Sequence, residues 1–219
     1  MLFVAMMLFT SVVFAEQKEL PQDEKKISTL MLLKQNWIQP EHGDGFFCEG
    51  VTLYWHHKAN IGLGMDIDLI PKSDFQRYRA YLTYNSGPWY ALAGVSTDSV
   101  GKDYAQFGGW YVNKLGLWEI FLDQRLYAAT DGKSTTYSDL YVEAIYPIKD
   151  IKLGLNASYD HWFSSEQHDW WMAGPVVYFT DLLGKGWTPY FRVVYESDIK
   201  AGQKNSNAVD FRAALKIAF

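Results

Sequence analysis

The stretch AVDFRAALKIAF, residues 208–219, decides how the chain is read. Val209, Phe211, Ala213, Leu215, Ile217 and Phe219 form one apolar series, and Asp210, Arg212, Ala214, Lys216 and Ala218 form the other. Period two sustained over this length means an extended strand with two different faces, because successive side chains of a strand point to opposite sides. An edge strand of a soluble sandwich would turn the apolar series to a core. A membrane-spanning strand would turn it to lipid. The rest of the chain has to choose between them.

Working outward from that strand, the same alternation recurs. Ile61, Leu63, Met65, Ile67 and Leu69 alternate with Gly62, Gly64, Asp66 and Asp68. Phe47, Val51, Leu53 and Trp55 alternate with small or polar residues, and Tyr78, Ala80, Leu82 and Tyr84 oppose Arg77, Arg79, Tyr81 and Thr83. Trp118, Ile120, Leu122 and Leu126 oppose Glu119, Phe121, Asp123 and Arg125; Leu140, Val142, Ala144 and Tyr146 oppose Asp139, Tyr141, Glu143 and Ile145. Ile151, Leu153, Leu155, Ala157 and Tyr159 oppose Lys152, Gly154, Asn156, Ser158 and Asp160, and Phe191, Val193 and Tyr195 oppose Tyr190, Arg192 and Glu196. Segments over about 89–97 and 103–113 are weaker in phase, which puts a turn at Asn113-Lys114. Pro175 falls inside a strand; a Pro there predicts a bulge or kink at Gly174-Pro175.

The connections alternate in character. HKAN, NSGP, NK, PIKD and DLLGKG form one set; PEHGDG, PKS, TDSVGK, ATDGKSTT, SSEQHD and IKAGQKNSN form a second that is mostly longer and more polar. Segments of about ten alternating residues, short turns on one side and longer loops on the other describe an all-β, antiparallel up-and-down transmembrane β-barrel. Counting residues 27–39, which could be a strand or a short amphipathic helix, together with 46–56 gives twelve strands. The alternative is ten strands with an N-terminal helix or plug segment. Both satisfy the even-number rule.

The pattern of 46–219, ending on a strand whose last residue is Phe219, resembles the bacterial outer-membrane β-barrels of the porin-like class. In that class the terminal strand is read by the barrel-assembly machinery; the resemblance makes Phe211, Leu215, Ile217 and Phe219 the assembly signal. It implies a bacterial outer-membrane location in a Gram-negative envelope, outer-membrane lipid and the assembly machinery as partners, and passive diffusion of small polar solutes or ions.

Composition fits. The chain has 219 residues, enough for one domain, with 48% hydrophobic, 21% charged and 17% aromatic residues. Nine Trp and fifteen Tyr exceed what an ordinary core needs and suit a membrane–water boundary. A net charge of −5 offers no basic patch for nucleic acid. MLFVAMMLFTSVVFA, residues 1–15, is uncharged and carries small Val13 and Ala15 before Glu16, as a cleaved signal peptide would, though without a basic residue ahead of the apolar run. Residues 16–26 then form a polar periplasmic leader, and 27–219 the barrel. The lone Cys48 forms no internal disulfide.

The second face carries the chemistry. Asp66, Asp68, Arg77, Arg79, Glu119, Asp123, Arg125, Glu143, Lys152, Asp160, Arg192, Glu196, Asp210, Arg212 and Lys216 point inward on this reading, as lumen and selectivity candidates. Opposed Arg and carboxylate rows would set a transverse field across a pore; fully paired, the same residues would make a closed structural or adhesion barrel without conduction. Tyr81, Phe121, Tyr141 and Tyr190 could stack on a sugar or nucleoside. An outer-membrane hydrolase is the remaining alternative: Asp66-x-Asp68 with Glu166-x-His168, or Ser164 and Ser165 with His161 and His168, could activate water or a serine. Asp66 and Asp68 are also what any inward series would carry. Adjacent His56 and His57 point to opposite faces and share no metal, and no catalytic, metal or cofactor site is expected.

Overall fold

A computed structural model describes residues 27–164, 167, 169–197 and 207–219. The expected signal peptide, leader, Ser165, Glu166 and His168 lie outside these residues. Twelve strands follow one another: β1 (Ile27–Pro40), β2 (Phe46–His57), β3 (Ile61–Ile70), β4 (Phe75–Ser86), β5 (Trp89–Asp98), β6 (Asp103–Leu115), β7 (Trp118–Ala129), β8 (Tyr137–Ile148), β9 (Ile151–Trp162), β10 (Trp170–Phe179), β11 (Trp187–Ser197) and β12 (Ala208–Ala218). Each pairs antiparallel with its neighbours in sequence, and β12 pairs with β1, so the sheet closes into a barrel. Residues 27–39 are therefore a strand. Their alternation is poor because Leu30 and Leu32 share the inward series with Lys34 and Asn36.

The register fixes both faces, since directly paired residues share a side. Asp66 of β3 pairs with Thr52 and Arg79, and Asp210 of β12 pairs with Val194; these belong to the inward series. Apart from Gln35, Glu49 and Gln124, the outward series is apolar or small between rims that end in aromatics. At the end of the short turns, Trp89 packs on Tyr111 at 4.5 Å between centroids and Trp118 on Tyr146 at 5.3 Å. At the end of the longer loops, Trp37 meets Phe47 at 4.7 Å and Trp171 meets Tyr195 at 5.7 Å. Large apolar side chains between these belts stay open to the surroundings, Leu155 at 65% and Leu82 at 59% exposure. A water-soluble sandwich would bury them; a lipid-facing barrel leaves them where they are.

Two expectations change. The β6–β7 turn is Gly116-Leu117, not Asn113-Lys114: both strands run further than their weak phase suggested, and Gly116 takes the left-handed backbone (φ 63) that closes the turn. Gly174-Pro175 is not a bulge. Ala173 pairs with Tyr195 and Val176 with Arg192, so no residue is inserted; the ladder to β11 only skips the two positions while that to β9 continues. The N–H that Pro175 lacks falls where one ladder is already open. Gly174 makes the skip compatible with close packing, because a Cβ there would lie 2.0 Å from the carbonyl oxygen of Val193. Gly174→Val is therefore expected to part β10 from β11. The folded fraction after refolding, read as the compact gel band, should fall sharply, whereas Ala173→Val on the outward face should leave it unchanged.

Candidate functional site

Every charged position expected to face inward lies on the inward series. The charges do not form opposed walls. Acid and base interleave from strand to strand and pair off locally. In the first group, Asp68 of β3 holds both Lys34 Nζ at 3.1 Å and the Arg79 guanidinium, and Arg79 also reaches Asp66 at 3.4 Å. Arg125 of β7 forms an ion pair with Asp123 on its own strand at 2.7 Å and reaches over to Asp66 at 4.0 Å, so this group spans from β1 to β7. In the second group, Arg192 donates to Asp210 at 2.7 Å and Asn36 donates to the same oxygen at 2.9 Å. The Arg212 Nε donates to Asn36 at 2.9 Å. Arg192 and Asp210 are almost wholly buried, where an unmatched charge would be costly. A third group lies at the turn end, with Glu119 between Lys152 at 2.7 Å and Lys114 at 3.7 Å.

Not every charge is matched. Glu143 accepts from the Tyr141 hydroxyl at 2.7 Å and the Tyr178 hydroxyl at 2.9 Å but forms no ion pair among the described residues. Asp139 and Asp160 are direct cross-strand partners, and neither forms an ion pair among the described residues; Ser158 donates to Asp139 at 3.1 Å. Among the described lumen cations, Arg77 and Lys216 make no ion pair; Arg77 instead sits over the Phe75 ring at 5.4 Å.

The space these side chains enclose is off-centre. Gly62 and Gly64 on β3 leave room for the Tyr54 and Tyr81 side chains, which with Tyr90 and Trp110 fill the lumen beside β3, β5 and β6; the Tyr90 and Trp110 rings stack at 5.0 Å, and the Tyr81 ring occupies the place of a Gly64 Cβ. Arg125 lies over the Tyr81 ring at 5.1 Å. What remains is a cavity of about 550 Å³, lined from every strand except β5 and β6. Tyr81, Phe121, Tyr141 and Tyr190 all line it, with Asp139, Glu143, Asp160 and Lys216. A second cavity of about 200 Å³ opens at the turn end between Glu119, Lys152 and Thr188. Both contain Glu143, Tyr178 and Lys216, so these three form the neck between them.

Asp66, Asp68 and His161, considered for hydrolysis, are otherwise engaged. Asp66 and Asp68 belong to the first ion-pair group, inside the barrel. His161 lies on the outward series and binds Asp169, in the β9–β10 loop, through Nδ1 at 3.0 Å. Asp169 also accepts from the Tyr159 hydroxyl and from the Trp162 amide at 3.2 Å, and these bonds, led by Tyr159 and then His161, lower its pKa to about 2. His56 and His57 face opposite sides. Among the described residues no group of three or more His, Cys, Asp or Glu could hold a metal ion. Lys34, Asn36, Lys114 and Tyr178 escaped the sequence reading; the first two lie in the strand with the poorest alternation, and Tyr178 is an inward aromatic with no polar neighbours in sequence to mark it.

No protein-family profile matches this sequence, and no curated protein does. Solved structures do. The NanC porin superposes with a TM-score of 0.61 at 9% identity, over 85% of this chain and 98% of its own. The KdgM porin in complex with disordered oligogalacturonate gives 0.60 at 14% identity, over 86% and 99%. The translocator domain of the autotransporter NalP from Neisseria meningitidis gives 0.55 at 13% identity, over 89% of each chain. At these identities the likeness is one of fold, and the fold is that of the bacterial outer-membrane β-barrels.

Two measurements test the geometry. Asp210→Ala strands Arg192 and Arg212 without their carboxylate and should destabilise the barrel by roughly 3–5 kcal/mol, read from denaturant unfolding in detergent or lipid. Asp169 has a depressed pKa, so its anchoring of the β9–β10 loop is complete above the ordinary carboxylate pKa and is lost as pH falls from about 4 toward about 2. Hydrogen-exchange protection of the Trp162 amide should follow that window, and Asp169→Asn should remove the pH dependence.

Proposed function

We propose that this chain is an outer-membrane channel for passive diffusion of small polar solutes or ions. The observation that carries the reading is the polar cavity of about 550 Å³ inside the closed barrel, which meets a second cavity at the Glu143–Tyr178–Lys216 neck. Twelve strands enclose more than side chains alone must fill, and here the aromatic packing beside β5 and β6 narrows the path without occupying it. An apolar outer surface between two aromatic belts supports a bilayer location, and the NanC and KdgM porins share the fold. KdgM has been seen with oligogalacturonate, so an acidic saccharide is one solute to try. One observation favours the closed-barrel alternative: the Arg125–Asp66 contact, at 4.0 Å, reaches across from β7 to β3, whereas ion pairs such as Lys34–Asp68 and Lys152–Glu119 join strands two apart.

Ion preference should follow the unmatched charges. In the main cavity these are Glu143 and the Asp139–Asp160 carboxyl pair against the ammonium of Lys216. The expected preference is weakly for cations, with an acidic saccharide entering less readily. Single-channel recording in a planar bilayer tests both points. Discrete conductance steps are expected. Stably inserted barrels that never conduct would overturn the channel in favour of the closed barrel. Under a salt gradient, Lys216→Glu should raise the cation-to-anion permeability ratio about fivefold, the effect of roughly 1 kcal/mol between charges in water, and Asp160→Asn should lower it.

A further inference from the structure

We propose that the outward face of β1 and β2 around Gln35 and Glu49 is the contact between two copies of this chain, related by a two-fold axis parallel to the barrel axis. The proposal rests on the outer-membrane reading. Between the two aromatic belts the described outward positions are apolar, small or uncharged, with Glu49 the one ionisable carboxylate among them. It lies one pleat to the membrane side of Phe47, and its directly paired neighbour Gln35 lies one pleat to the membrane side of Trp37. A carboxylate facing hydrocarbon is unfavourable, because lipid tails offer no hydrogen-bond donors. Gln35 supplies one long bond at 3.4 Å, and a carboxylate has room for about four. The outward Gln124 differs, since its amide is uncharged and donates to the backbone carbonyl of Asp139 at 3.2 Å.

The pair is self-complementary under the symmetry that a membrane allows. Copies in one bilayer with the same orientation can be related only by rotation about the membrane normal, and a two-fold contact presents the same patch from both sides. Gln35 and Glu49 are direct cross-strand partners, so with a strand spacing of about 4.8 Å and a tilt of about 40° they lie within about 3 Å of one height. Half a turn then sets each Gln35 opposite the other copy's Glu49. Each carboxamide has two N–H donors: one holds its own Glu49, the other the partner copy's, closing a ring of four side chains. Leu33 and Val51 lie to the membrane side of the ring and Trp37 and Phe47 to the loop side, so a dry collar surrounds it.

The test reads oligomeric state in lipid nanodiscs by single-molecule subunit counting, with heat-dependent gel mobility as the folding control. The native chain should count as a dimer. Gln35→Glu sets carboxylate against carboxylate and should weaken the dimer about tenfold. The exchanged pair Gln35→Glu/Glu49→Gln restores donor opposite acceptor and should return the dimer to near its native strength. A native chain that stays monomeric at every loading, an undiminished Gln35→Glu dimer, or an exchanged pair that does not recover would each overturn the proposal. So would a photoreactive side chain at position 35 that captures only lipid or an unrelated protein. A folded, heat-modifiable monomer contradicts the dimer alone; a chain with no heat-dependent shift contradicts the membrane reading beneath it.

Discussion

A backbone N–H or C=O in hydrocarbon has no water to bond with, so a strand can lie there only if both its edges are paired. The seam between β1 and β12 meets that condition. It runs from Leu30 opposite Ala218 to Pro40 opposite Ala208 without a break. Backbone bonds extend it at both ends: Phe219 donates to Thr29 at 2.9 Å, and Glu41 donates to Asn207 at 2.7 Å. Without this seam the other ladders would leave two open edges, and the division of the chain into an inner and an outer face would lose its meaning.

Closure also dictates the interior. Once period two assigns the charges to a single enclosed side, they must be hydrated or matched there. The chain does both, in different sectors. Around Asp68 and around Asp210, several donors converge on one carboxylate, and these groups stiffen the wall. Between β7 and β12, Asp139, Glu143, Asp160 and Lys216 are left facing the cavity without ion partners among the described residues. The opposite sector is filled by aromatic rings packed over glycines. The path is thereby pushed toward one wall, and the charges that border it are those the wall does not neutralise.

Much of this could be read from the sequence, because a barrel strand makes a local pattern. Asp66-Ile67-Asp68 or Arg212 through Lys216 declares its face within a few residues, and the inward set follows from such runs. Partners are another matter. Nothing near Asp68 in sequence points to Lys34, and nothing near Asp210 points to Asn36; these meet only because β1 closes against both β2 and β12. The turn at Gly116 was misplaced because Gly108, Gly109 and the aromatics of β6 blur the alternation that marks a strand's end. Of the bulge or kink expected at Gly174-Pro175, the register excludes the bulge; a proline in a strand signals a missing donor without saying which neighbour goes without it. Glu49 is a gap in the series Phe47, Val51, Leu53, Trp55; period two puts it on the outward face, and the register adds that its direct partner is Gln35.

An outer-membrane barrel turns one side of each strand to lipid and the other to its interior. The most direct measurement places spin labels singly along β12 of the reconstituted protein, in a Cys48→Ser background, and compares relaxation by lipid-soluble oxygen with relaxation by a water-soluble nickel complex. Labels at 209, 211, 213 and 215 should respond to oxygen and not to nickel, and those at 210, 212, 214 and 216 should respond more to nickel. If the labels at 209, 211, 213 and 215 are shielded from both reagents, the apolar series lies in a protein core, and the barrel is not a membrane protein.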